Sequence, residues 1–114
     1  DTDADYAEIH EGHATAANYD EVWLWCSNAG SASHTLSLYF GGLDNETDPF
    51  SNELETLSQH SIDPGETVLV CPGWTLKGRA TNQLRVSALV DQVSGGANDV
   101  VALNVFGHVN RYTA

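Results

Sequence analysis

Residues 21–26 read Glu-Val-Trp-Leu-Trp-Cys, and this stretch decides the fold. Successive side chains of a β-strand point to opposite faces of the sheet. Val22, Leu24 and Cys26 therefore share one face, while Trp23 and Trp25 share the other. Because both faces carry apolar side chains, the pattern predicts a central strand of a sheet.

The same period-two alternation recurs along the chain, and no segment keeps helical spacing for three turns. Strands are expected at residues 6–15, 21–26, 35–40, 53–58, 67–71, 84–90 and 100–110. We interpret residues 28–33 as a hairpin loop, Pro64-Gly65 as a tight turn and Pro72-Gly73 as the end of a strand. Seven to eight strands predict an all-β fold, a single-domain antiparallel β-sandwich or jelly roll.

The domain organisation follows from length and composition. A chain of 114 residues is the size of one domain. We expect residues 18–114 to form the sandwich and residues 1–17 to form an acidic N-terminal arm or edge strand. Residues 1–5 hold three aspartates and little apolar surface, so a mobile arm is expected there. No apolar run approaches 18 residues, which predicts a soluble chain.

The two cysteines, Cys26 and Cys71, follow no metal-binding spacing. The favoured interpretation is two buried free thiols. The alternative is a disulfide, which would close a long loop and stabilise the fold by about 4 kcal/mol.

Charge is distributed unevenly along the chain. Residues 1–66 contain fourteen acidic and no basic residues, a net charge of −14, while residues 67–114 contain two acidic and four basic residues, a net charge of +2. The overall net charge of −12 argues against nucleic acid and anionic membranes as partners. Opposite charges would meet in a head-to-tail contact between copies, and screening of the remaining repulsion predicts better behaviour at high salt.

Candidate ligands for a metal ion are few. Asp44, Glu46 and Asp48 lie in a polar loop and could gather a divalent cation, but Ca²⁺ needs six to eight oxygen ligands. His10 and His13 would point to opposite faces of a strand, so they do not form a zinc pair. We therefore predict no resident metal and no cofactor.

No nucleophile elbow and no other catalytic signature is present, so a non-enzymatic protein is expected. The chain does contain enough aromatic residues for a binding surface, among them Trp23, Trp25, Trp74 and Tyr112. Such residues can build a platform for sugar rings or the contact between two subunits. The subunit contact is favoured, because a strand with two apolar faces is what an interface requires.

Five segments in a fixed order carry a family likeness. They are Asp-Glu-Val-Trp-Leu-Trp at 20–25, Leu-Ser-Leu-Tyr-Phe-Gly-Gly at 36–42, Ile-Asp-Pro-Gly at 62–65, Val-Leu-Val-Cys-Pro-Gly at 68–73 and Val-Phe-Gly-His-Val-Asn-Arg at 105–111. Over residues 18–114 the chain resembles the small virion structural proteins of tailed bacteriophages. The acidic residues 1–5 depart from that pattern, in which an apolar or neutral leader is usual.

The resemblance implies a capsid decoration (cement) protein on the outer surface of the phage head. Such a protein is non-enzymatic, binds the major capsid protein and other copies of itself, commonly as a homotrimer, and often grips the shell with an N-terminal arm. The alternative is a glycan-binding or host-adhesion module on a phage tail or fibre.

The residues expected at the interface combine the basic second half of the chain with the aromatic strands. They are Arg79, Arg85, Arg111, Tyr112, Trp23, Trp25 and Trp74. Arg111 is the strongest single candidate, because its guanidinium can bind a carboxylate with two hydrogen bonds and Tyr112 lies beside it. We expect it to meet acidic surface on a neighbouring copy or on the capsid.

Overall fold

The computed structural model of the chain describes residues 6–43, 56–81, 83–90 and 103–113. These residues form seven strands: β1 Tyr6–Glu11, β2 Tyr19–Asn28, β3 His34–Leu43, β4 Thr56–Ile62, β5 Thr67–Lys77, β6 Leu84–Val90 and β7 Leu103–Tyr112. In this described part of the chain, no helix is long and apolar enough to cross a lipid bilayer.

The strands form two antiparallel sheets. One sheet has four strands in the order β1-β6-β3-β4, and the other has three in the order β5-β2-β7. The all-β fold class is therefore confirmed, and the two sheets are consistent with a β-sandwich. Residues 21–26 lie in β2, the middle strand of the three-stranded sheet, as their two apolar faces predicted.

The core forms from alternating residues of both sheets. Val22, Leu24 and Cys26 of β2 are buried, and residues 36, 38 and 40 of β3 are buried with them. The remaining core members are Ile62, Val70, Cys71, Leu76, Val86 and Ala88. Full burial of one large aliphatic side chain stabilises a fold by about 1.5–3 kcal/mol, so the alternation accounts for how the sheets are held together.

The connection after β2 differs from the prediction. Residues 28–33 do not form a hairpin loop, since β2 and β3 lie in different sheets. The buried side chain of Asn28 organises the crossing. Its amide donates hydrogen bonds of 2.9 Å to the carbonyls of Ala32 and Ile62, and its side-chain oxygen accepts one of 2.8 Å from the Gly30 N–H. These three hydrogen bonds satisfy the buried side chain of Asn28 and tie the connection to the end of β4.

The strand that was expected to end at Pro72-Gly73 continues through them as β5. Proline lacks an N–H group and is tolerated on an edge strand, and β5 is an edge of its sheet among the described residues. Register shifts against β2, between Val22 and Trp23 and between Leu24 and Trp25, accommodate the irregularity.

The Pro64-Gly65 turn is confirmed. Gly65 has a φ of 83°, and the Glu66 N–H donates a 3.0 Å hydrogen bond to the Asp63 carbonyl. A positive φ after proline is the signature of a type II turn. The free, buried state of Cys26 and Cys71 agrees with the favoured interpretation of the two thiols.

Several expectations fall outside the described residues. They are the acidic arm at residues 1–5, the turn at 94–98 and the metal-ion candidates Asp44, Glu46 and Asp48. The strand expected at 53–58 is described from Thr56 onward, where β4 runs to Ile62.

Candidate functional site

The outward side of the three-stranded sheet carries a row of apolar and aromatic side chains, which Glu21 and Asn110 interrupt between Tyr19 and Trp23. We call it the aromatic face. Its members are Tyr19, Trp23 and Trp25 of β2, Phe106, His108 and Tyr112 of β7, and Leu69 of β5.

The register between β2 and β7 brings the rings together. The two strands pair over ten residues without a shift, so each ring of β2 lies directly opposite a ring of β7. The pairs are Tyr19–Tyr112 with 4.8 Å between ring centroids, Trp23–His108 with 6.2 Å and Trp25–Phe106 with 6.3 Å. The ring planes within these pairs differ by only 13–18°. Cross-strand aromatic pairs each add roughly 0.2–1 kcal/mol to sheet stability, so the face is ordered by the sheet beneath it.

Trp23 is held by a carboxylate and by a glycine. Its indole N–H donates a 2.9 Å hydrogen bond to Glu21, and the Asn110 amide donates one of 3.0 Å to the same oxygen. Both bonds lower the pKa of the Glu21 carboxyl, and the bond from Trp23 has the larger effect. On the β5 side the ring covers Gly73, where a Cβ atom would lie 2.6 Å from Trp23 Cζ2. Glycine is thus required at position 73 for Trp23 to occupy this place.

The aromatic face remains accessible. Tyr19, Leu69, Phe106 and Tyr112 have between 39% and 45% of their surface exposed, and the two tryptophans are half-buried. Side chains of this size have roughly 150–250 Å² of surface each, so the four contribute on the order of 300 Å² to solvent. This area is comparable to the largest apolar patch of an ordinary monomer, and such a patch is often functional.

The aromatic face carries two charged side chains, Glu21 of β2 and Lys77 of β5, which lies opposite Tyr19. The outward positions of β2 and β7 carry one carboxylate, Glu21, and no lysine or arginine. This contrasts with the net charge of −12 on the whole chain. Interface centres are depleted of charged residues and enriched in aromatic ones, and these strands have both properties.

A second cluster lies at one end of the sandwich, around Asp20. This carboxylate occupies the first inward position of β2 and is fully buried. Arg111 of β7 donates to both of its oxygens, at 2.7 Å through Nε and 2.8 Å through Nη2, and His10 Nε2 of β1 lies 2.7 Å from Oδ2. The cluster therefore joins β1 of the four-stranded sheet to β2 and β7 of the three-stranded sheet.

Electrostatics at Asp20 favour the charged form. The hydrogen bonds from Arg111 lower the pKa of the Asp20 carboxyl, against the opposing effect of burial, and the bond with His10 lowers it further. In return, Asp20 raises the pKa of Arg111. Both carboxylate oxygens are occupied by these partners, which makes the cluster a structural clamp between strands.

The structure brings together only some of the residues expected at an interface. Trp23, Trp25 and Tyr112 share the aromatic face. Trp74 does not join them; it packs edge-on against Phe40, with 5.4 Å between ring centroids, beside the core.

Two of the three arginines form ion pairs with carboxylates of their own chain. Arg111 binds Asp20, and Arg85 binds Glu8 and Glu11 of the neighbouring β1. Arg79 is half-buried in the loop after β5. A contact of these arginines with another molecule stays a prediction.

Comparisons with protein-family models, curated proteins and solved structures find no match to this chain. Among the described residues, no group of three or more His, Cys, Asp or Glu side chains is arranged to hold a metal ion. The aromatic face is thus the candidate functional site. Sequence reasoning missed Leu69, Phe106 and His108, although the period-two pattern of residues 104–112 could have placed the latter two beside Tyr112.

Proposed function

We propose that the protein is a non-enzymatic virion structural subunit, a decoration (cement) protein on the outer surface of a tailed-phage head. Its partners in this proposal are the major capsid protein and other copies of itself, assembled as the homotrimer that the resemblance implies. The observation that carries the structural part of the proposal is the aromatic face, an exposed surface with two charged side chains of opposite sign on a strongly acidic chain.

The composition of the face favours a protein partner. Tryptophan, tyrosine and phenylalanine are the residues that dominate binding energy in protein interfaces. The exposed area of roughly 300 Å² forms a substantial part of the ~800 Å² that each partner contributes to a standard interface. A sheet face also offers a flat surface, which suits another folded subunit.

A binding role without catalysis also agrees with the titratable groups. Asp20 is the only fully buried carboxylate among the described residues, and Arg111 and His10 occupy both of its oxygens. A general base must have a free lone pair within reach of the substrate proton. Asp20 has no exposed surface and already accepts three hydrogen bonds, so its remaining lone pair is out of reach of a substrate.

A decoration protein acts by adding contacts between capsid subunits. Each contact is modest, but many equivalent contacts over a closed, symmetric shell act together. The shell then resists rupture without any single strong bond. A preformed, rigid aromatic face suits this task because little conformational entropy is lost on binding.

The first test is the copy number of the protein in purified particles, measured by quantitative mass spectrometry against the major capsid protein. A ratio near one copy per capsid subunit, or a simple fraction of it, would support the decoration role. A handful of copies per particle would place the protein at the tail or a single vertex. Its absence from particles would refute the virion proposal.

The second test asks whether the aromatic face makes the contact. We expect Trp25→Ala to weaken binding to particles by roughly 30-fold, the effect of losing one interface hot spot. The control is Tyr39→Ala, which removes a half-buried aromatic side chain from the outward side of the four-stranded sheet. Equal losses in both variants would exclude the aromatic face as the specific contact.

The same face could instead stack on sugar rings, as the adhesion alternative requires. Tryptophan fluorescence with a soluble quencher separates the two cases in the particle-bound state. A contact with protein shields Trp23 and Trp25, whereas strong quenching would show open rings and favour a glycan ligand.

A further inference from the structure

Each of the two sheets ends in strands that have a neighbour on one side only. In the described residues β1 and β4 are the edges of one sheet, and β5 and β7 are the edges of the other. An edge strand exposes backbone N–H and C=O groups that can pair with another chain. Proteins usually block such pairing with charges, proline, bulges or short strands.

Three of the four edges carry such features. β1 has a bulge between Glu8 and His10 and carries two carboxylates. β5 contains Pro72, two register shifts and a terminal lysine. β4 has only seven residues, which are mostly polar.

β7 has none of these features. It runs for ten residues, pairs with β2 without a register shift, and contains no proline, lysine or carboxylate. Its one charged residue, Arg111, is bound to Asp20. By the rules that keep natural sheets from associating, β7 is the unguarded edge.

The described residues also leave the space beside β7 incompletely filled. A shallow groove of about 250 Å³ runs between β1 and β7. It is lined by Ile9 and His10 on one side and by residues 105–109 on the other, with Leu24 at its floor. Val105 and Val109 are therefore only half-buried although they pack against the core. Apolar core residues at an open edge gain burial when another strand is added.

We propose that β7 is the edge through which a second copy of this chain adds a strand to the three-stranded sheet. The charge distribution makes this edge a place where two copies of the chain can meet. Each copy carries −12, so most pairs of surfaces repel each other. The outward positions of β2 and β7 hold only the Glu21 carboxylate, and Glu8 and Glu11 of the nearby β1 are bound to Arg85, so pairing at this edge brings few uncompensated carboxylates together.

Strand addition at β7 also extends the aromatic face. Phe106, His108 and Tyr112 lie on the edge strand itself, so a joined strand would continue their surface into the neighbouring copy. Pairing of β7 with β7 of the second copy uses the same edge on both subunits, so it gives a two-fold pair. It concerns the isolated protein and does not depend on the virion role.

The chain offers a matched pair of variants. Phe106 on β7 and Leu69 on β5 lie opposite Trp25 from either side, and their exposed fractions are 45% and 40%. Phe106→Lys places a charge on the proposed edge, and Leu69→Lys places the same charge on the far edge of the same sheet. Mass is measured by sedimentation and light scattering over a concentration series, with circular dichroism to verify folding.

We expect the wild-type protein and Leu69→Lys to associate, and Phe106→Lys to raise the dissociation constant roughly tenfold or more through like-charge contact. Amide hydrogen exchange gives a second readout that needs no variant: association should slow exchange in β7 and leave β4 and β5 unchanged. Raising the salt concentration should strengthen association, because it screens the repulsion of the acidic surfaces.

Other results would overturn the proposal. A monomer at every concentration would show that β7 receives no strand from a second copy. Equal dissociation of both variants would assign the contact to the sheet face, and weaker association at high salt would assign it to pairs of opposite charges. The particle copy number is a separate measurement, so either proposal can fail while the other stands.

Discussion

Replacement of Arg111 by methionine should leave the buried carboxylate of Asp20 without its main partner. In the native protein Asp20 has no exposed surface and accepts hydrogen bonds of 2.7 and 2.8 Å from Arg111. Methionine preserves an apolar stem of similar character, so the substitution removes mainly the charge and the two hydrogen bonds. Of the described bonds to Asp20, the one with His10 remains.

The size of the effect can be estimated from the burial of the two partners. Removing one member of a buried ion pair costs about 3–5 kcal/mol, because the other charge is left uncompensated. The Arg111 side chain is 45% exposed, so water already screens part of this pair. Since His10 also stays in place, we expect the free energy of unfolding to fall by about 2–3 kcal/mol.

Urea unfolding followed by tryptophan fluorescence measures this loss. All variants are compared at one protein concentration, because association would stabilise the folded state by mass action. A double-mutant cycle also needs the single variant Asp20→Asn and the double variant, in which both charges are absent. We expect a coupling energy of about 1–3 kcal/mol between the two positions. Additive effects, or an Arg111→Met protein within about 0.5 kcal/mol of wild type, would refute the clamp.

The clamp also predicts a pH dependence. Arg111 lowers the pKa of Asp20 in the folded protein, so the folded-state pKa lies below the unfolded-state value. The resulting stabilisation is present above about pH 4 and is lost as the pH falls through the folded-state pKa. The stability difference between wild type and Asp20→Asn should therefore narrow in acid. A difference that stays constant down to about pH 2 would contradict this.

Three further predictions concern the aromatic face, the thiols and the surface charge. Gly73→Ala should lower the free energy of unfolding in urea by about 1–3 kcal/mol more than Gly65→Ala does. Both residues have a positive φ, but only Gly73 lies under Trp23. Equal losses in the two variants would show that the Trp23 ring moves aside without cost. Burial raises the pKa of both Cys26 and Cys71, so a thiol reagent should label them only after unfolding, and rapid native labelling would contradict their burial. Added sodium chloride should increase the free energy of unfolding, because it screens the repulsion within a chain of net charge −12, and a decrease would show that attractive surface pairs dominate.

Much of the fold could be predicted because it depends on local alternation. The pattern around Val22 and Leu24 identified the central strand, and residues 84–90 matched β6. The turn at Pro64-Gly65 was predictable for the same reason, since its backbone angles belong to those two residues. Pairing partners are not local. The loop at residues 28–33 looked like a hairpin because loop residues between two strands are common to hairpins and to crossings between sheets.

The candidate site was predictable only in part. Trp23 and Trp25 were evident on one face of a strand, but their partners Phe106 and His108 lie some eighty residues away and meet them only through the register of β2 with β7. From the sequence, Asp20 was identifiable only as an acidic residue directly before the strand predicted at residues 21–26. Its role depends on Arg111 and His10, which come from two other strands.

The sequence by itself therefore determined the all-β class, the inward and outward sides of β2 and β3, and the overall acidity. These follow from side-chain spacing and composition, which every strand carries within itself. The tertiary structure decided which strands share a sheet, which rings form the aromatic face, and that two of the three arginines bind carboxylates of their own chain. Those features depend on long-range pairing, which the packing of both sheets around one core selects.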